Sequence, residues 1–447
     1  MPNRFGLPLG TPSTLGRHQQ QADVPIVDTG DGHLITFAPT GAGKGVSCVI
    51  PALLSWAGPC IVIDPKGEAF AVTAARRRAL GQRVHVLDPF DVTRASEKAS
   101  LNPMDLITPD SASAGDDAAV IAQLLAQDLF GPEDAFWEER GRTLITGLIL
   151  YALIAPRPLR NLAEVRHHLE SGLHEQMVTA TDMMRTPNLE MRAAAAILNM
   201  PGMHRTRTSI MSTACSHVSF IRSGPVQASL ATSTIDLAAV QRGDPVTIYL
   251  VLPPDKLVSH GKLLRLWLGT LMTMLTRRRE CPPVPTLLLI DEAAQLGPLQ
   301  EFRTAVTLMR GYGVRCWSFW QDLAQLRQIY PRDWQSLVNN CAVQQYFGLS
   351  TPQAAAEISD YLDGASPKPI GHLADDEALL IRRGERPAIV VRPNYLEDKA
   401  FVGQFANNPF FRRHASGTWA EALPQDSART NVLAFPQSPR SPQGRIS

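Results

Sequence analysis

The chain has 447 residues, 44% hydrophobic and 19% charged, enough for two or three domains and a sizeable core. That composition excludes a disordered chain, a collagen-like repeat and a small disulfide scaffold. With 43 Lys and Arg against 42 Asp and Glu the formal net charge is +1, so any contact with nucleic acid must come from local patches.

Residues 1–32 are rich in Pro, Gly and polar residues and predict an irregular N-terminal segment. Residues 33–38 form a short strand candidate, followed by a Gly-rich turn and a short helix over 45–54 that Pro51 weakens in its middle. The apolar run 59–63 suits a strand buried on both faces of a parallel sheet, and 84–87 resembles it. Residues 103–235 carry helix-forming stretches at 117–130, 135–154, 162–184 and 188–199, which predict an all-α insertion domain. Strands resume at 245–251, 286–290, 315–320, 343–347 and 388–392, with a helix over 263–279. The fold class is therefore α/β, with the sheet domain split over 33–102 and 236–405. Residues 406–447 are polar and aperiodic and predict a disordered C-terminal tail. The six cysteines (Cys48, Cys60, Cys215, Cys281, Cys316, Cys341) include no CxxC pair and suggest reduced thiols rather than a zinc site. The N-terminus lacks the apolar core of a secretory signal, and the longest apolar run, 144–155, falls short of the roughly 20 residues a membrane span needs.

The strongest local signal is Ala38-Pro39-Thr40-Gly41-Ala42-Gly43-Lys44-Gly45-Val46, between a strand and a helix. Glycines let successive N–H groups curl around phosphate, and a lysine reaches the outer phosphates at a helix N-terminus. Residues Thr40, Gly41, Ala42, Gly43, Lys44, Gly45 and Val46 are thus the candidate nucleotide-binding loop. Ala38 replaces the first Gly of the generic motif, and Gly45 replaces the Ser or Thr that usually meets Mg²⁺. Without nucleotide, Lys44 is expected to face solvent. A second signal is the apolar run 286–290 ending in Asp291-Glu292, the form of a Walker B element: Asp291 would serve Mg²⁺ and Glu292 would polarise the attacking water.

Further pieces extend the pattern: Asp64-Pro65-Lys66-Gly67-Glu68, Leu87-Asp88-Pro89-Phe90, Phe136-Trp137-Glu138, residues 247–253, then 291–297 and 321–326. In this order they resemble the VirD4/TraG type IV coupling proteins, the conjugative DNA-transfer ATPases of type IV secretion systems. Lys followed by Gly in the phosphate loop is itself typical of that family. The resemblance implies a RecA-like P-loop nucleotide-binding domain with an inserted all-α domain. It also implies ATP and Mg²⁺ as cofactors and a hexameric homo-oligomer with nucleotide between neighbours. Single-stranded DNA with its relaxase, or effector proteins, would pass to the secretion channel at the cytoplasmic face of the bacterial inner membrane. Lys44 and Glu292 would be catalytic. Arg310 stands where the family has its trans arginine finger, with Arg303 and Arg315 as rivals, and Gln321 where it has a γ-phosphate-sensing Gln.

Most relatives carry two transmembrane helices ahead of this core; here the loop lysine is residue 44, so a naturally soluble member or a truncated core is expected. Two other functions compete with the motor: a substrate-docking receptor with little motor activity, and a general DNA pump of the FtsK/HerA kind. The basic clusters 76–78 and 277–279 end helix candidates, where cations suit the dipole and solvent. Residues 204–207, beside a Pro-Gly turn, could touch nucleic acid.

Overall fold

The computed structural model of the chain describes residues 6–13, 24–126, 135–349, 351–362, 369–413 and 419–421; the C-terminal part of the expected helix 117–130 and most of the expected tail lie outside them. Residues up to Ala406 form one unit, built on a sheet of eleven strands. In chain order these are β1 (Leu7–Pro12), β2 (Ile26–Asp28), β3 (His33–Phe37), β4 (Cys60–Ile63), β5 (Arg83–Leu87) and β6 (Val246–Leu250). β7 (Thr286–Ile290), β8 (Val314–Trp320), β9 (Cys341–Tyr346), β10 (Glu377–Arg382) and β11 (Ala388–Val391) complete it. Across the sheet they run β2-β1-β11-β10-β9-β3-β8-β7-β4-β6-β5.

From β9 to β5 neighbouring strands are parallel, and from β9 to β2 antiparallel. Strands β3, β4, β6, β7 and β8 are buried along their whole length, which is why apolar residues occupy both of their faces instead of alternating with exposed polar ones; His33, Thr36, Thr247, Arg315 and Ser318 are buried among them. Alternate side chains serve two cores. Ile35, Phe37, Ile61, Ile63, Leu288 and Ile290 join a core that continues into the helical region, whereas Leu34, Val62, Leu287, Leu289, Trp317 and Phe319 face the other way.

Between β5 and β6 the chain is helical: Ala114–Leu125, Ala135–Ala152, Leu162–Glu170, Leu173–Met184, Leu189–Leu198, His204–Val218, Gly224–Leu230 and Leu237–Arg242. The single helix expected over 162–184 is two. Ser171 and Gly172 are extended, and the Gln176 side-chain amide donates to the carbonyls of Leu169 (3.0 Å) and Ser171 (2.9 Å), so the break leaves those acceptors satisfied.

Another expectation needs correction. Residues 1–32 are not irregular throughout, because β1 and β2 extend the sheet, with Thr11 opposite Val391 and Pro12 opposite Val390. Local Pro and Gly chemistry reads as coil, but pairing with a strand nearly four hundred residues later overrides it. The helix expected over 45–54 forms after the phosphate loop, π-type over Gly45–Val49 and α-helical over Ile50–Ser55; the change falls beside Pro51, which stands in the first turn of the α-helix, where proline is tolerated. In the separate unit Asn407–Ser447, Phe411–Arg413 and Trp419–Glu421 pair antiparallel, within the stretch expected to be disordered.

Candidate nucleotide-binding site

Strands β3, β4, β7 and β8 are parallel neighbours in the sheet order β3-β8-β7-β4, so their carboxyl ends lie along one edge, where ligands bind in open α/β sheets. The loop after β3 starts with Ala38 N–H donating to the Trp320 carbonyl at 2.8 Å. Gly41 (φ 82°) and Gly43 (φ 89°) take left-handed conformations that residues with side chains rarely adopt. A Cβ at Gly41 would meet nothing within 4 Å, leaving an open cradle bounded by backbone.

Lys44 does not face solvent. Its side chain is only 7% exposed and lies 3.5 Å from Glu292 Oε1. Its Nζ donates to the carbonyls of Ala38 (2.9 Å) and Pro39 (3.3 Å). The loop folds the lysine onto its own carbonyls and onto the carboxylate expected to act in hydrolysis.

Asp291 and Glu292 follow β7. Glu292 sits at φ 50°, ψ 52°, a left-handed conformation that costs a non-glycine residue about 1–3 kcal/mol. This backbone turns its carboxylate so that Oε1 faces Lys44 while Oε2 accepts from Gln321 Nε2 at 3.4 Å. Gln321 follows β8, and its backbone N–H donates to Gln325 Oε1 at 3.0 Å. Burial, then repulsion from Glu292, pushes the Asp291 carboxyl up to about 6. Lys44, Asp291, Glu292 and Gln321 therefore converge.

Arg310 does not join them. It lies in the turn Met309–Tyr312 ahead of β8, while Gln321 follows that strand; seven residues of β8 intervene, roughly 20 Å at about 3.3 Å per residue. Its guanidinium is 52% exposed and meets Asp31 at 2.8 Å. The two rivals are held internally. Arg315 is fully buried against Asp28 and the Gly32 carbonyl, and Arg303 pairs with Asp333 at 2.7 Å beneath the Tyr330 ring.

Sequence reasoning passed over Arg392, just after β11. Its Nη1 donates to the Ala42 carbonyl (2.9 Å) and Ser47 Oγ (3.1 Å), and the guanidinium stacks over Phe347 at 4.1 Å. A trans peptide is planar, so holding the Ala42 carbonyl toward Arg392 aims the Gly43 N–H the opposite way. No local pattern could have found a residue 350 positions from the loop.

The basic clusters at the two helix ends are partly internal. Arg77 is fully buried and donates to the carbonyls of Leu53, Trp56 and Gly58 and to Thr247 Oγ1. Arg278 donates to the carbonyls of Val240, Gln241, Tyr312 and Gly313 and to Thr286 Oγ1. Arg207, within 204–207, bonds the Leu198 carbonyl and Gln176. These cations tie the fold together.

A model of the family described as Type IV secretory system Conjugative DNA transfer matches residues 15–363. The chain belongs to this family. It is 26% identical over 366 residues to a conjugal transfer protein TraG of Escherichia coli, covering 74% of this chain and 55% of that one. It is 27% identical over 351 residues to the protein VirD4 of Agrobacterium fabrum (strain C58 / ATCC 33970), covering 73% and 49%. The chain thus spans about half the length of the curated relatives it matches. The fold is that of the bacterial conjugative coupling protein TrwBdeltaN70, with a TM-score of 0.64 at 17% identity over 86% of this chain and 92% of that one. TrwB solved with the non-hydrolysable GTP analogue GDPNP matches with a TM-score of 0.63 at 16% identity, over 89% and 97%.

Two of the family's motifs do structural work in this chain. The Asp88 carboxylate accepts from the N–H groups of Val92 (3.0 Å) and Thr93 (2.7 Å), shaping the loop after β5. Glu138 lies 2.9 Å from buried His217, joining helices Ala135–Ala152 and His204–Val218. Among the described residues no helix is long and apolar enough to cross a membrane.

Proposed function

We propose that this chain is the Mg²⁺-dependent ATPase core of a conjugative coupling protein. It would act as a ring, hydrolysing ATP only when a neighbour supplies Arg310. The carrying observation is the split geometry: Lys44, Asp291, Glu292 and Gln321 share one sheet edge, while Arg310 projects from the other end of β8. A monomer so built binds nucleotide but lacks one cation for the transition state.

The residues suit the nucleotide. The loop 40–46 offers N–H groups around an open cradle, and Lys44 exchanges the Ala38 and Pro39 carbonyls for phosphate oxygens. Leaving Glu292, it frees that carboxylate to orient a water, with Gln321 as the link to the phosphate end. The residues suit Mg²⁺ as well. Mg²⁺ characteristically takes one or two carboxylates plus the substrate's phosphates, and the Asp291 carboxylate follows β7 at the same sheet edge as the loop. Asp291 would hold it. Bound Mg²⁺ would neutralise charge on the outer phosphates.

The substrate is single-stranded DNA with its attached relaxase, or an effector protein, delivered to the type IV secretion channel at the inner membrane. Family membership and the TraG and VirD4 relatives support that assignment. The test is turnover per subunit against protein concentration, with and without single-stranded DNA. Turnover should rise with concentration, and DNA should raise it further through phosphate contacts that weaken with salt. Concentration-independent turnover that ignores DNA would favour a docking receptor.

A further inference from the structure

The phosphate loop lacks an oxygen that such loops ordinarily offer to the metal, because Gly45 stands where a Ser or Thr would follow the lysine. The backbone does not demand glycine there. Gly45 opens the helical segment Gly45–Val49 and is not among the glycines with positive φ. A Cβ on it would meet Glu68 Oε1 at 3.7 Å, an ordinary contact. A carboxylate oxygen therefore borders the space that the missing hydroxyl would fill.

Glu68 reaches that point by a well-defined turn. The Gly67 N–H donates to the Asp64 carbonyl at 3.1 Å, Gly67 turns at φ 69°, and the helix Glu68–Ala79 begins. Asp64 Oδ2 accepts from Phe70 N–H at 2.8 Å and fixes the start of the helix. Because Ile63 pairs with Ile290 across β4 and β7, the turn lies beside Asp291. Burial and Glu292 are the larger causes of the raised Asp291 carboxyl, and the charge of Glu68 adds to them.

Resting on the ATPase reading above, we infer that Glu68 is a residue of the Mg²⁺ shell, its carboxylate standing in for the hydroxyl absent at position 45. A carboxylate differs from a hydroxyl in sign-dependent ways. With Mg²⁺ present it attracts the metal, and without Mg²⁺ it repels the nucleotide's phosphates. Removing its charge should therefore move the two affinities in opposite directions.

The experiment is binding of a fluorescent ATP analogue to the full chain, titrated with MgCl₂. The variants are Glu68→Gln, and Glu68→Ala with and without Gly45→Ser. Glu68→Gln should raise the Mg²⁺ midpoint about 10–100-fold, the range for losing a supporting metal-site partner, while tightening metal-free binding. Gly45→Ser should restore the midpoint in the Glu68→Ala background, which a purely structural role at the helix start would not allow. An unchanged midpoint in Glu68→Gln, or no rescue by serine, overturns the inference. Lys44→Ala runs alongside: analogue binding that ignores Lys44 overturns the nucleotide-site reading itself, so the two failures are distinguishable.

Discussion

Replacing Lys44 by Ala tests both halves of the phosphate-loop argument, because the lysine is an internal cation before it is a catalytic one. At 3.5 Å from Glu292 Oε1 and an effective dielectric of about 20, a unit pair is worth roughly 5 kcal/mol before desolvation. Desolvating an ammonium that is only 7% exposed takes back several kcal/mol. The bonds to Ala38 and Pro39 are charge-assisted, about 1.5–3 kcal/mol each when judged by deletion. Glu292 keeps 24% exposure and can rehydrate, so the loss stays below that of a stranded buried charge. Lys44→Ala should therefore cost the nucleotide-free protein about 1–3 kcal/mol, a fall of a few degrees in Tm. Nucleotide at about 100 times its Kd should stabilise the native protein by about 2.7 kcal/mol and the variant not at all. Thermal melts with and without ATP analogue, alongside turnover, check both. Unchanged turnover, or a nucleotide-induced shift that survives the substitution, refutes the reasoning.

Glu292→Gln should bind ATP yet slow hydrolysis by about 10²–10⁴, the usual share of a general base; nucleotide affinity falling in parallel would instead mark a structural role. Arg310→Ala should lose about 10³–10⁵ in turnover, as when a finger is removed elsewhere, and mixing it with Glu292→Gln subunits should restore part of it; no rescue on mixing contradicts a finger acting between neighbours. Burial raises the Asp64 carboxyl to about 7 against 3.8 when free, so the folded state keeps a proton that the unfolded state releases. Asp64 thus favours the nucleotide-free fold at low pH, an advantage lost as pH rises from about 4 to 7 at up to about 1.4 kcal/mol per unit. The stability of native protein minus Asp64→Asn, from denaturant melts, should decline over that window; a rising difference refutes it. Arg278→Ala should cost about 3 kcal/mol or more by removing the donor to its buried acceptors, leaving the salt slope of single-stranded DNA binding unchanged; a lower slope at full stability would put Arg278 on DNA instead.

The sequence by itself determined the parallel half of the sheet and the chemistry at its edge. The strands around 59–63 and 286–290 are almost wholly apolar, and those around 33–38 and 315–320 mostly so, because both faces are buried, a signal that needs no partner to read. Gly41, Gly43, Lys44, Asp291, Glu292 and Gln321 stand at the ends of those runs, so strand direction alone gathers them. Only the tertiary structure decided what depends on contacts between distant segments. Strand β1, with two prolines and a glycine, is a strand because Thr11 and Pro12 meet Val391 and Val390. Arg77 and Arg278 read as helix-end surface cations but are buried among carbonyls supplied by other segments. Lys44 is buried because its loop folds onto Glu292, nearly 250 residues away, and Arg392 braces that loop from the far side of the sheet order. A side chain's local pattern reports its own propensity; its burial and its partner are set by whichever remote backbone the sheet brings against it.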